Sequence, residues 1–249
     1  MSEHAATMLT LAQNSGGKAP PAVAIVLLVA AVAVIVLLIW LAKKRDRART
    51  AGIAEALASR GLTLTAAPAK AAKPALFAPF AHVKQMKAGH GGIQWVASGT
   101  INGTQIDLCE HMHMQSHGKG SHPVYYSAAV ISCPPAWPEL TLGRESALHA
   151  IAELLGHKDV KLDDEAFNKR WRVHTDDPDF ALVFLSPAAQ QWLTEAPKNE
   201  AWQVGAGRLS CVHAGALKPD TVAALIERPL ALVAMIPPEL AAWQARATT

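Results

Sequence analysis

IQWVASGTINGTQIDLCEHMHM, residues 93–114, is the stretch that decides the fold class. Apolar and β-branched residues flank Asn102-Gly103, and Asn-Gly suits the two positive-φ positions of a type I′ turn. The pattern predicts two antiparallel strands joined at that turn. Downstream, VYYSAAVIS (124–132) reads as a further strand, ended by Pro134, Pro135 and Pro138. SHGKGSH (116–122) between them reads as a flexible loop, and ELTLGR (139–144) as a short extended piece.

Moving further out, residues 144–156 read as a helix, with Leu148, Ile151 and Leu155 on one face and Gly156 as the stop. AFNKRWRVH (166–174) alternates, which places Phe167, Lys169, Trp171 and Val173 on one side of a strand. Asp176-Asp177-Pro178 and Ser186-Pro187 each combine a capping side chain with Pro in the first turn, so each starts a helix. WQVGAGRLSCVHAG (202–215) reads as a strand or tight hairpin. Residues 219–236 form a last helix, apolar at Val222, Leu225, Ile226 and Val233 and interrupted by Pro229. Strands joined by turns, with helices set apart, argue for an α+β fold with a mainly antiparallel sheet over residues 82–249.

Upstream of the sheet, residues 63–81 are rich in Ala and Pro and read as a linker. Residues 46–60 read as a helix, a continuation or short satellite of the preceding apolar helix, with Ile53, Ala54 and Leu57 as its apolar stripe and Gly61 as its stop. Before that, PAVAIVLLVAAVAVIVLLIWLA (21–42) carries no charge. A helix of that length spans about 33 Å, against a bilayer core of about 30 Å. Trp40 marks one end at headgroup level. KKRDRAR follows, setting Lys43, Lys44, Arg45, Arg47 and Arg49 against Asp46, while the 1–20 tail carries only Glu3 and Lys18. The positive-inside rule then predicts a single-pass protein of the inner (cytoplasmic) membrane, N-terminus outside and C-terminal domain cytoplasmic. A cleaved signal peptide fits less well, because the apolar run is too long and the basic residues follow it.

Arg60-Gly61-Leu62, followed by Phe167, Asn168, Trp171, Val173, Asp176, Asp177, Phe180, Ala181, Leu185 and Pro187, forms a recognisable layout. It resembles uncharacterised bacterial single-pass membrane proteins with a cytoplasmic domain of unknown function. The resemblance implies a membrane-tethered domain and brings no catalytic residues with it.

The chemistry-bearing residues are sparse. The formal net charge is +3. With the basic run set aside, basic and acidic residues nearly cancel, which gives no electrostatic footprint for nucleic acid. Cys109, Cys133 and Cys211 form no C-x-x-C, excluding a zinc ribbon and a thioredoxin motif. The sharpest candidate is Cys109, His111, His113, His117 and His122, a metal-ligand set by residue type in which Cys109, His111 and His113 share one strand face. Three successive same-face positions on a straight strand converge poorly on one ion, so the preferred reading is a solvated His-rich face with no metal. Asp163, Asp164, Glu165, Asp176, Asp177 and Asp179 read as turn and cap residues rather than acid–base catalysts. Gly118-Lys119-Gly120 lacks P-loop spacing, and Val204-Gly205-Ala206-Gly207 lacks the dinucleotide fingerprint. Trp137, Trp171, Trp192 and Trp202 read as core, and Trp243 as peripheral.

These readings favour a non-enzymatic, membrane-anchored interaction or accessory domain with a protein partner and no cofactor. Two alternatives stand beside it. One is a metal-binding sensor or enzyme built on the 109–122 cluster. The other is a lipid-facing module in which the basic run and the last apolar helix touch the bilayer.

Overall fold

Asn102 (φ 49°) and Gly103 (φ 79°) adopt the left-handed conformations that the Asn-Gly signal requires. A computed structural model describes residues 21–66, 78–86, 91–118, 120–144 and 159–243. The chain divides into two compact units, Met1–Thr50 and Ala51–Thr249. Helix α1 (Pro21–Ala58) begins in the first and ends in the second. It is long and apolar enough to cross a membrane, and its apolar positions from Val23 to Leu41 are exposed rather than packed.

The second unit is built on nine strands: β1 (Thr63–Ala66), β2 (Gly91–Ile101), β3 (Thr104–His117), β4 (Gly120–Ser132), β5 (Leu140–Gly143), β6 (Asp159–Val160), β7 (Arg172–Thr175), β8 (Glu200–Gly205) and β9 (Arg208–Ala214). They form one sheet in the order β1-β2-β3-β4-β9-β8-β5-β7-β6. Each pairing is antiparallel. With helices α2 (Glu165–Arg170), α3 (Pro178–Phe184), α4 (Pro187–Thr194) and α5 (Val222–Met235), the fold is α+β.

Period-two alternation gives the sheet two apolar faces. One face presents Trp95, Ala97, Ile106, Leu108, Ala129, Ile131, Trp202 and Val204 to the core that also holds Ile53, Leu57 and residues from α2 to α5. The other presents Val96, Cys109, Ala128, Val130 and Val212, covered by Phe80, Val83 and Met86. Those three come from two short 3-10 turns, Ala78–Phe80 and Lys84–Met86. Strand β1 and the first of these turns precede residue 82, where the sequence pattern first turns to strands. The stretch from 63 therefore does not begin as linker. Thr63, Leu64 and Thr65 favour a strand and pair with Ser98, Ala97 and Val96.

Two further expectations change. The 116–122 loop is mostly strand, with Gln115 opposite His122, Ser116 opposite Ser121 and His117 opposite Gly120. The strand expected at 166–174 starts instead as helix α2, because Asp164 Oδ1 accepts from the Ala166 and Phe167 amides at 2.8 and 3.0 Å. Phe167 and Trp171 are four residues apart, which suits a helix face as well as a strand face. Both are buried either way. The helix expected over 144–156 falls on 145–158, outside the described residues.

The remaining signals hold locally. Asp177 caps α3 and Ser186 caps α4, each with Pro at the helix start. Trp243 is tied in rather than peripheral: its ring packs edge-on to Phe180 at 5.7 Å and its Nε1 donates to Asp177 Oδ2 at 3.3 Å. Helix α5 turns Val222, Leu225, Ile226, Pro229 and Leu232 into the core. Val233, the fourth apolar position of the sequence pattern, is exposed instead.

Candidate functional site

The sequence places Cys109, His111 and His113 on one face of β3, and the register does the same. Cys109 lies between Val96 and Ala128, and His111 between Ile93 and Tyr126. This face is not solvated: His111 is 4 % and His113 8 % exposed. The cover formed by residues 78–86 and the Tyr126 ring explain the difference, and neither is visible as a local pattern. The His113 ring stacks on Tyr126 at 5.8 Å between centroids, and the His111 ring lies 5.9 Å from His113. Among the described residues, Nδ1 of both histidines has no hydrogen-bond partner.

The thiol of Cys109 donates to Met86 Sδ at 3.5 Å rather than facing the imidazoles. Burial pushes its pKa well above the ordinary thiol value. Burial, helped by the neighbouring His113, lowers the His111 pKa to about 4. His122 is exposed on the far part of β4, four residues beyond Tyr126 and so about 13 Å away. The side chain of His117 lies outside the described residues. Among the described residues, no three His, Cys, Asp or Glu side chains converge on a metal position.

The opposite face holds a group that the sequence reading missed. Glu200 is buried and ion-paired with Arg228, with Nε at 2.6 Å from Oε2 and Nη2 donating to Oε1 at 2.7 Å. The Trp202 indole donates to the same Oε1 at 2.7 Å. The guanidinium lies 3.8 Å from the Trp192 ring centroid and 5.9 Å from that of Trp202. Arg228 on α5 is thus held by a carboxylate on β8 and by two indoles. Burial raises the pKa of Glu200, and Arg228 acts against that rise.

A cavity of about 120 Å³ beside this pair is lined by Glu200, Cys211, His213, Leu217, Leu225 and Arg228, among others. Cys211 and His213 are two apart on β9 and share its inward face. Their environment does not activate them as a nucleophile and base. Burial, reinforced by the Glu200 charge, raises the Cys211 thiol well above its ordinary value, and burial lowers His213. Cys133 is likewise pushed up by burial, to about 12. The signal for the Glu200–Arg228 pair is non-local: the two residues are 28 positions apart.

The carboxylates grouped in sequence separate into structural roles. Asp164 caps α2 and Asp177 caps α3. In the basic run, Arg49 pairs with Asp46 at 3.0 Å, and the Lys44 ammonium lies 5.3 Å from the Trp40 ring centroid. Lys43, Arg45 and Arg47 are exposed.

No protein-family model and no curated protein matches the chain. Among solved structures, it is similar to the crystal structure of the mycobacterial trehalose monomycolate transport factor A, TtfA. The TM-score is 0.47 at 10 % sequence identity, covering 74 % of this chain and 93 % of that one.

Proposed function

We propose that this chain is a single-pass membrane protein whose α+β unit serves as a non-enzymatic interaction or accessory domain, a subunit of a larger membrane assembly. The observation that carries the reading is α1, whose long apolar stretch is exposed and lipid-compatible. The thiols support it from the other side, because burial raises the pKa of all three. On this reading Lys43, Lys44, Arg45, Arg47 and Arg49 hold the C-terminal unit in the cytoplasm and contact anionic headgroups. The resemblance to tethered bacterial domains of unknown function agrees with it.

The test is native mass spectrometry of the full chain released from its own membranes in mild detergent. A defined complex larger than the 26.4 kDa chain, lost when the unit unfolds, is the expected result. A lone protomer under every extraction condition sinks the assembly reading. Orientation is tested separately with C-terminal reporters: a cytoplasm-active fluorescent protein is expected to work and alkaline phosphatase to be silent.

A further inference from the structure

Helix α5 and the β8–β9 hairpin leave a gap where they meet, the cavity of about 120 Å³ beside the ion pair. Thr221 at the start of α5, then Ala224, Leu225 and Arg228, recur at helical spacing and form one wall. Glu200 and His213 stand directly opposite each other on β8 and β9 and form another, with Cys211 two residues further along the same face. Glu200, Cys211, Leu217 and Leu225 are buried, whereas Pro197 and Ala224 are exposed. The cavity therefore has a floor in the core and a mouth between Pro197 and Ala224.

Three of its polar wall residues are already committed. Glu200 Oε1 accepts from Arg228 Nη2 and from the Trp202 indole, each at 2.7 Å. The Thr221 hydroxyl donates to the Lys218 carbonyl at 3.0 Å and accepts from the Lys218 amide at 3.1 Å. The charges of Glu200 and Arg228 cancel, so the cavity offers no net charge to a ligand. His213 differs. Its Nδ1 is shut off from solvent and has no hydrogen-bond partner among the described residues. Burial lowers its pKa, so at neutral pH the ring is uncharged and carries one donor and one acceptor nitrogen. A buried nitrogen left unpaired costs free energy, which a ligand hydroxyl would recover.

Size and lining narrow the ligand further. Pro197, Leu217, Ala224 and Leu225 make the remaining walls apolar. Apolar cavities of roughly 150 Å³ take up a benzene ring, and drug-sized sites begin at roughly 300 Å³. Several waters filling this space would each need at least two polar partners, and one imidazole cannot serve them all.

We propose that this cavity binds a neutral, single-ring organic molecule bearing one hydroxyl group, with the ring against Leu217 and Leu225 and the hydroxyl on His213 Nδ1. A hydroxyl serves either tautomer of the imidazole, because it can donate or accept. The site lies wholly within the sheet unit and holds whether or not α1 crosses a bilayer. It gives the proposed interaction domain a small-molecule ligand.

The test is a titration of the full chain in nanodiscs, followed through the leucine methyl signals by NMR. Phenol is the probe, toluene its counterpart without a polar atom, and benzoate a charged counterpart. Phenol should shift the Leu217 and Leu225 methyl signals saturably and leave Leu64, on the edge strand β1, unmoved. Toluene should bind about five-fold more weakly, the worth of one hydrogen bond, and benzoate should give no saturable shift. Ala224→Leu closes the exposed mouth and should abolish the phenol response. His213→Leu should keep toluene binding and bring phenol down to its level. Shifts that grow without saturating overturn the site, as does saturable binding that survives Ala224→Leu. Equal affinity for phenol and toluene in the wild type overturns the ligand class, and so does a phenol preference that persists in His213→Leu. If Ala224→Leu does not fold, the wild-type comparison of phenol with toluene and benzoate decides alone.

Discussion

The two faces of the sheet handle buried polar groups in opposite ways. On the helix-covered face, Glu200 meets Arg228 and the Trp202 indole, and Glu110 accepts the Leu217 amide. There a charge is buried together with its counter-charge and its donors. On the face covered by residues 78–86, His111 and His113 are buried, with His113 stacked on Tyr126 and His111 beside it, and among the described residues neither has a partner at Nδ1. The first solution costs desolvation and returns geometry, because an ion pair with a charge-assisted hydrogen bond fixes where α5 sits. The second avoids the charge by lowering a pKa, which makes that face sensitive to acid. One sheet thus has a face where a buried ion pair fixes a helix, with His213 lowered by burial beside it, and a face where burial holds His111 uncharged.

The contrast can be broken at several points, beginning with the largest effect. Both faces depend on the apolar core, and Trp171 is among its largest fully buried side chains, with its indole donating to the Leu193 carbonyl at 3.0 Å. Trp171→Ala should lower the unfolding free energy by about 3–5 kcal/mol, read as the denaturation midpoint of the detergent-solubilised chain. An unchanged midpoint would put this indole outside the core.

Arg228→Met attacks the pinned face alone. It leaves Glu200 buried without its cation, at a cost of about 3 kcal/mol near neutral pH. Burial already raises the Glu200 pKa, so the variant should be most stable below the ordinary carboxylate range and lose stability as pH rises through the raised value. Adding Glu200→Gln should recover much of the loss. A double variant no better than the single one would deny that the unpaired charge is the cause.

Acid should find the other face. The His111 pKa is lowered from 6.5 to about 4, so its contribution is complete above about pH 6.5 and disappears as pH falls toward 4. The wild type should lose about 2 kcal/mol over that window through this group, and His111→Leu should flatten the dependence. Parallel pH profiles for the two proteins would remove His111 as the source.

The smallest effect compares the two sharp turns. Asn102 and Gly103 suit their positive φ, whereas Ala206 sits at φ 51° before Gly207. Ala206→Gly exchanges left-handed strain for chain entropy and should stabilise by about 0.5 kcal/mol, seen as a small rise in midpoint. No rise would mean that the β8–β9 turn bears no strain at that alanine.

Much of the local structure was legible because its causes are local. The uncharged run of 21–42, the Asn102-Gly103 turn and the Asp177-Pro178 and Ser186-Pro187 helix starts each need only a few adjacent residues. Phe167 and Trp171 show the limit. Their spacing predicts burial correctly under two periods at once, and only the Asp164 cap selects helix over strand. The candidate metal cluster shows the same limit in reverse: period two put Cys109, His111 and His113 on one face, yet could not say what lies over it.

By itself the sequence determined that the chain has one span fit for a bilayer, a basic run behind it and an antiparallel α+β unit, because hydropathy, turn chemistry and capping act within a few residues. Only the tertiary structure decided that His111 and His113 are buried, that Glu200 meets Arg228, and that α5 turns Val222, Leu225, Ile226 and Leu232 into the core. Each of these depends on which distant segment comes to rest on a given face, and burial energy, unlike a turn or a cap, belongs to two surfaces at once.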